Sequence, residues 1–155
     1  EEKELTKARN ASYRFLTYRP RSRAEIEAKL RDKEFDDAII GAVLADLERL
    51  GYVNDRKFAH EWTQSRIRLR GFGRRRIVLE LKNKGIGGEL IREVFAGAFS
   101  EETESETAKR VVEKRLSTMK ALDRETRRRR LAGFLERKGF PFEIIRTVLR
   151  DTERS

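Results

Sequence analysis

The chain has 155 residues, 37% hydrophobic and 41% charged, with no cysteine and a formal net charge of +10. That balance suits helical units with thin cores and broad solvated surfaces, and it argues against an enzyme wrapped around a deep apolar pocket. It also excludes disulfides and thiolate metal sites, while the excess of cations points to a polyanionic partner, either a nucleic acid or an acidic protein surface.

Residues 1–52 predict three helices. Leu5, Ala8, Ser12, Phe15 and Leu16 recur at helical spacing, and Pro20 stops that helix because the residue before a proline is pushed out of the α region. Ser22 followed by Glu25 is a capping-box pattern opening a second helix whose inward residues are Ile26 and Leu30. Asp36 is the expected cap of a third, with Ile39, Ile40, Val43, Leu44 and Leu47 inside and Gly51 at its end.

Residues 53–100 repeat the pattern. Phe58, Ala59, Trp62 and Ile67 make one stripe, Gly71-Phe72-Gly73 breaks the helix, and Ile77, Val78 and Leu81 make the next stripe before Lys84-Gly85-Ile86. Trp62 is expected in the core of this unit. Residues 101–155 form a third unit with a longer internal connection at Ser117–Asp123, and the polar stretch Ala98–Glu102 is the expected flex point between units.

A repeat underlies this. Ile26, Leu30, Phe35, Ile39, Ile40, Val43 and Leu44 return as Ile77, Leu81, Ile86, Leu90, Ile91, Val94 and Phe95. They return again as Leu131, Leu135, Phe140, Ile144, Ile145, Val148 and Leu149. The Lys33-Glu34-Phe35, Lys84-Gly85-Ile86 and Lys138-Gly139-Phe140 junctions keep the same register, whereas the first helices match more loosely. The reading is all-α: a tandem array of three three-helix units that bury their faces on one another.

Charge is unevenly shared. Residues 1–52 carry eleven basic and eleven acidic groups, residues 53–100 eleven and five, and residues 101–155 fifteen and eleven. The candidate binding residues are therefore Arg66, Arg68, Arg70, Arg74, Arg75, Arg76, Lys82 and Lys84, with Arg127, Arg128, Arg129 and Arg130 at the expected matching helix start of the third unit. Cations at a helix N-terminus oppose its dipole, so an anionic partner would relieve a local cost there. A solvated face serving only solubility is the bland alternative.

Catalytic constellations are absent from the sequence. His60 is the single histidine, which rules out a two-histidine metal site, and neither Gly71-Phe72-Gly73 nor Gly87-Gly88 fits a phosphate or dinucleotide loop. No enzyme activity, cofactor or metal is expected. No apolar run approaches the roughly eighteen residues of a membrane span, so no membrane partner and a cytoplasmic location are expected.

The run GYVNDRKFAHEW, Arg66, the Gly71-Phe72-Gly73 turn and IVLELKNKGI resemble the most characteristic stretch of the RecX family, and FLTYRPRSRAEIEAKLRDKEF is similar to that family's first repeat. The resemblance spans essentially the whole chain. It implies a regulatory protein of the bacterial RecA recombinase, made of three tandem three-helix repeats in an elongated, curved array. Family members bind the recombinase filament on single-stranded DNA, block its growth and lower its strand-exchange, ATPase and repressor-cleavage activities. Asn54-Asp55 stands where the family often has two acidic residues, and Arg74 where it often has proline. A monomer is expected, with the recombinase filament and single-stranded DNA as partners. The alternative is a helical nucleic-acid-binding protein that acts on no recombinase, although the basic residues are spread over several helix starts and Asn and Gln are scarce.

Overall fold

The structure, a computed structural model, describes residues 1–97 and 99–154, apart from the side chain of Arg154. Among the described residues there are nine α-helices and no strand: α1 (Glu2–Tyr18), α2 (Arg23–Asp32), α3 (Asp37–Arg49), α4 (Asp55–Ser65), α5 (Arg74–Asn83), α6 (Gly88–Gly97), α7 (Glu101–Leu116), α8 (Arg124–Lys138) and α9 (Phe142–Arg154). A π-helical turn over Arg66–Arg70 prolongs α4 before Gly71 closes it in the left-handed region, at φ 62°. Local chemistry sets the boundaries as expected. Ser22 and Glu25 form the capping box, and Asp36 and Asn54 accept from the amides of Ile39 and Lys57.

Three separate cores follow the three units. Ala8, Ile26, Leu30, Ile40, Val43, Leu44 and Leu47 fill the first. Phe58, Ala59, Ile77, Leu81, Val94 and Phe95 fill the second, and Ala108, Val112, Leu131, Leu135, Phe140 and Val148 the third. The chain exposes 10173 Å² for 18.2 kDa, against about 8,100 Å² for a compact globule of that mass, as an array of thin units should. The flex point read at Ala98–Glu102 begins at Ala98, which lies outside the described residues; Phe99 is fully buried and Ser100 caps α7.

How the units join decides what surface they present. Between α5 and α6, Gly85 takes a φ of 78°, and between α8 and α9 Gly139 takes 96°. Each of these turns seats on the N-terminus of the second helix of the preceding unit. At the first joint the buried Ser22 hydroxyl donates to the Lys84 carbonyl at 2.6 Å, and Lys84 Nζ reaches Glu25 at 3.1 Å. At the second, the amides of Gly73 and Arg75 donate to the carbonyls of Lys138 and Gly139 at 2.8 and 2.9 Å. Helix N-termini leave their first amides unpaired, and here the next unit supplies the missing acceptors.

A carboxylate from the next unit's first helix completes each joint. Asp55 accepts from the Arg23 amide at 2.8 Å, and Glu104 from the Arg74 amide at 2.6 Å. The first helices are thus in register after all: Glu4, Asp55 and Glu104 correspond, each one turn ahead of a fully buried alanine at Ala8, Ala59 and Ala108. Contact is too close for side chains on the turn. A Cβ on Gly85 would come within 2.3 Å of Ala24 Cβ, and one on Gly139 within 2.5 Å of the Arg76 backbone. In the first unit Glu34 occupies the same turn at φ 68°.

Glycine replacements should separate the joint from helix propensity. Gly139→Ala is expected to destabilise the chain by at least roughly 1–2 kcal/mol, the cost of a left-handed L-residue before the clash is added. Gly41→Ala, inside α3 with nothing within 4 Å of a Cβ, should stabilise it by about 1 kcal/mol. Urea midpoints of the two variants should therefore move in opposite directions.

Acid should act on the first joint. Burial pushes the Glu25 carboxyl up, but the hydrogen bonds from Arg19, the Ser22 amide and Lys84 outweigh it and hold the group at about 2, against an ordinary 4.5. A depressed carboxylate adds stability above its unfolded pKa, and that stability is lost as pH falls through the folded value. The stability gap between the parent and Glu25→Gln should be constant above about pH 5 and shrink between pH 4.5 and 2. A gap that ignores pH would contradict this.

Candidate polyanion-binding face

The structure distributes the arginine-rich segments over several different environments. Arg74 is half-buried and committed to the second joint. Its guanidinium lies 5.3 Å from the Phe95 ring centre, donates to the Phe99 carbonyl at 3.1 Å and stands 3.7 Å from Glu104. Burial pushes the Glu104 carboxyl up, against the pull of the Arg74 amide and side chain. The anion that relieves this basic helix start is therefore internal. Lys84 is likewise a joint residue, held by Glu25 with its ammonium 5.0 Å from the Trp62 ring centre.

Trp62 is half-buried, a correction to its expected place in the core. Its ring stacks on Phe58 at 5.7 Å, the Arg66 guanidinium covers it at 4.2 Å, and its Nε1 donates to Glu80 at 3.2 Å. An indole needs a partner for its N–H, which keeps that edge near the surface. Arg66 also donates to Glu80, at 3.1 Å, so it stiffens the unit more than it faces solvent. Arg68, Arg75 and Lys82 are exposed.

Arg127 to Arg130 do not occupy a helix start. Asp123 holds the N-cap position of α8, an extra turn begins at Arg124, and the arginine run comes after it. The helix also splits the run between two surfaces. Arg127 and Arg128 line a groove between α7, α8 and α9, with Arg128 paired to Glu153. Arg129 and Arg130 line a smaller cleft, with Arg115 and Arg137, beneath the C-terminal end of α7.

What the fold does assemble is a cationic cluster at the second joint. Lys138 is its centre: its ammonium donates to the Arg70 carbonyl at 2.9 Å and lies 5.4 Å from the ring centres of both Phe72 and Phe134. Arg76 covers Phe72 at 3.9 Å and Arg115 covers Phe134 at 4.6 Å. Burial first, and then Arg76, Arg70, Lys114 and Arg115, push the Lys138 ammonium below its ordinary value. Among the described residues, none of Arg70, Arg76, Lys114, Arg115, Arg137 or Lys138 makes an ion pair. Aromatic faces hold the cations in place while leaving their charge uncompensated. The cluster runs on through Arg115 and Arg137 into the arginine cleft, giving one face spanning the second and third units.

Arg70, Arg76, Arg129 and Arg130 were legible in the sequence as members of this face, whereas Lys114, Arg115, Arg137 and Lys138 were not. Lys138 could have been found from its register with Lys84 at a joint turn. Among the described residues there is no cluster of His, Cys, Asp or Glu that could hold a metal, and no helix long and apolar enough to cross a membrane.

Such a cluster trades stability for binding. Lys114→Glu, an exposed change facing Lys138, should stabilise the fold by a few tenths to about 1 kcal/mol and weaken binding to single-stranded DNA or another polyanion. Thermal melts and a binding titration on the same variant test the pair. Loss of stability together with unchanged binding would remove the cluster from consideration.

Comparison with known proteins bears on the whole chain. Residues 8–47, 54–94 and 102–149 match the first, second and third three-helix domains of RecX. A regulatory protein RecX of Amycolatopsis mediterranei is 36% identical over 99% of this chain and 87% of its own length. That of Streptomyces coelicolor is 38% identical over 94% and 77%, and that of Bacillus velezensis 35% identical over 97% and 57%. The crystal structure of RecX from Lactobacillus salivarius superposes over the full length of both chains with a TM-score of 0.89 at 22% identity, a likeness of fold.

Proposed function

The chain belongs to the RecX family, and from that premise we propose that it is a regulator, acting without catalysis, that restrains the RecA recombinase filament on single-stranded DNA. The observation that carries this reading is the cationic face around Lys138, Arg76 and Arg115, whose side chains make no ion pair among the described residues. A nucleoprotein filament offers phosphates and acidic protein surface along a helical groove, and the matching partner is an extended rod with an uncompensated cationic face. Affinity then comes from many modest ionic contacts, each releasing counterions, and no deep pocket is needed.

The action is steric. A rod of three units lies across neighbouring recombinase subunits or on the growing end, and hinders addition of the next subunit or entry of a second DNA. The three repeats at residues 1–52, 53–100 and 101–155 contribute unequally: the neutral first unit adds length, and the second and third hold the polyanion. The protein acts in the cytoplasm as a monomer.

The test is recombinase ATPase on single-stranded DNA, titrated with the protein. The parent should lower it. Reversal of Arg70, Arg115 and Arg137 to Glu should raise the protein needed by roughly tenfold or more and flatten the salt slope by about one unit per lost contact. Reversal of Lys3, Arg14 and Lys33, exposed on the first unit, should change little. An unaffected ATPase with the parent would refute the regulatory reading, and equal inhibition by both triple variants would refute the face.

A further inference from the structure

The second joint shows what the tail of a unit receives. In the second unit, the Ile67 carbonyl accepts from Arg110 at 3.0 Å and the Arg70 carbonyl from Lys138, while Gly73 and Arg74 bind the Lys138 carbonyl and Glu104. In the third unit the counterpart of Ile67 is Leu116, in the register that matches Asp55 with Glu104, and those of Gly73 and Arg74 are Arg127 and Arg128, in the register that matches Ile77 with Leu131. These three, with Arg124, line an open groove of about 760 Å³ between α7, α8 and α9, floored by Leu131, Val148 and Leu149. The groove is thus the third unit's counterpart of a surface that, one unit earlier, seats the start of a helix.

We propose that this groove docks an amphipathic helix of another protein, one with carboxylates in its first turn. The chemistry of the occupant follows from the two internal joints, since Asp55 and Glu104 both arrive on the first turn of a helix and both meet the start of a basic one. Charge on the rim agrees. Arg124 and Arg128 share Glu153, and Lys109 faces Asp151 at 3.8 Å, while Lys120 and Arg127 make no ion pair among the described residues. The extra turn of α8 changes one detail. The Arg127 amide is bonded to the Asp123 carbonyl at 3.0 Å and Arg128, the counterpart of Arg74, lies inside α8, so an incoming carboxylate meets the Arg127 guanidinium and the Lys120 ammonium instead of a free amide.

A second copy of the chain is a poor occupant. Its first unit has Glu4 in register, but its turn carries Glu34 where the docked turns carry Gly85 and Gly139. At those glycines a Cβ would fall 2.3 and 2.5 Å from the helix it seats on. Glu34 therefore blocks head-to-tail addition of another copy, whereas a lone helix with no following turn meets no such obstacle.

A fluorescein-labelled peptide with the sequence of residues 100–116, the helix start that seats on the second unit, is the probe. Fluorescence anisotropy with the full chain should show saturable binding. Lys120→Glu with Arg127→Glu should weaken it by about tenfold or more, as should a peptide with Glu101, Glu102 and Glu104 changed to Gln. Reversal of Arg70, Arg115 and Arg137 should leave it unchanged, which separates this groove from the filament-binding face. No saturation by about 1 mM, equal binding by the Lys120/Arg127 variant, or equal loss in the Arg70/Arg115/Arg137 variant would each overturn the proposal. So would dimers of the parent in sedimentation that disappear in the Lys120/Arg127 variant, since the groove would then take a second copy.

Discussion

Unpaired amides at the start of a helix are the constraint on which this structure turns. A helix of the second unit begins at Arg74 with no side-chain cap, and the turn at Lys138-Gly139 and the carboxylate of Glu104 come from the next unit to satisfy it. The same solution, with Ser22 in place of Gly73, joins the first unit to the second through Lys84 and Asp55. The first and second units are therefore each completed by the unit that follows. Units this small bury too little surface to be secure alone, so a joint made from backbone groups that must be paired anyway is an economical link.

The joint also places the charge. Because the Lys138 turn sits against the end of the π-helical turn and the start of α5, Arg70 and Arg76 of one unit meet Lys114, Arg115 and Lys138 of the next. Repulsion among them is held in place by Phe72 and Phe134, whose ring faces attract cations. Moving the joint would disperse the face. A basic rod with a fixed cationic seam suits a helical polyanion better than a flexible string of basic units would, because less order is lost on binding.

The three-fold return of apolar residues was legible because burial forces it: Ile26, Ile77 and Leu131 are all essentially inaccessible. Caps at Ser22 and Asp36 were legible for the same local reasons that make them work. The joints were less so. Glu4, Asp55 and Glu104 stand in register in the sequence, but an acidic residue in a first turn looks like an ordinary partner for its own helix dipole, and its partner in another unit cannot be inferred from spacing. Arg74 was misplaced for that reason, since a side chain at a helix start looks solvated until a neighbouring unit covers it. Trp62 sits at a core spacing, yet its N–H and the cations over its ring keep it at the edge. The arginine run at Arg127–Arg130 was visible as composition, but one residue of helix turns each side chain by about 100°, so the run faces two grooves.

In the proposed function, the seam at the second joint is the surface held against the recombinase filament. Lysine acetylation rates, read by mass spectrometry at low extent of labelling with and without filament on single-stranded DNA, test it without any substitution. The account predicts that Lys114 and Lys138 become protected while Lys3 and Lys33 of the first unit react as before. Undiminished labelling of Lys114 and Lys138 in a bound complex, with protection confined to the first unit, would contradict it.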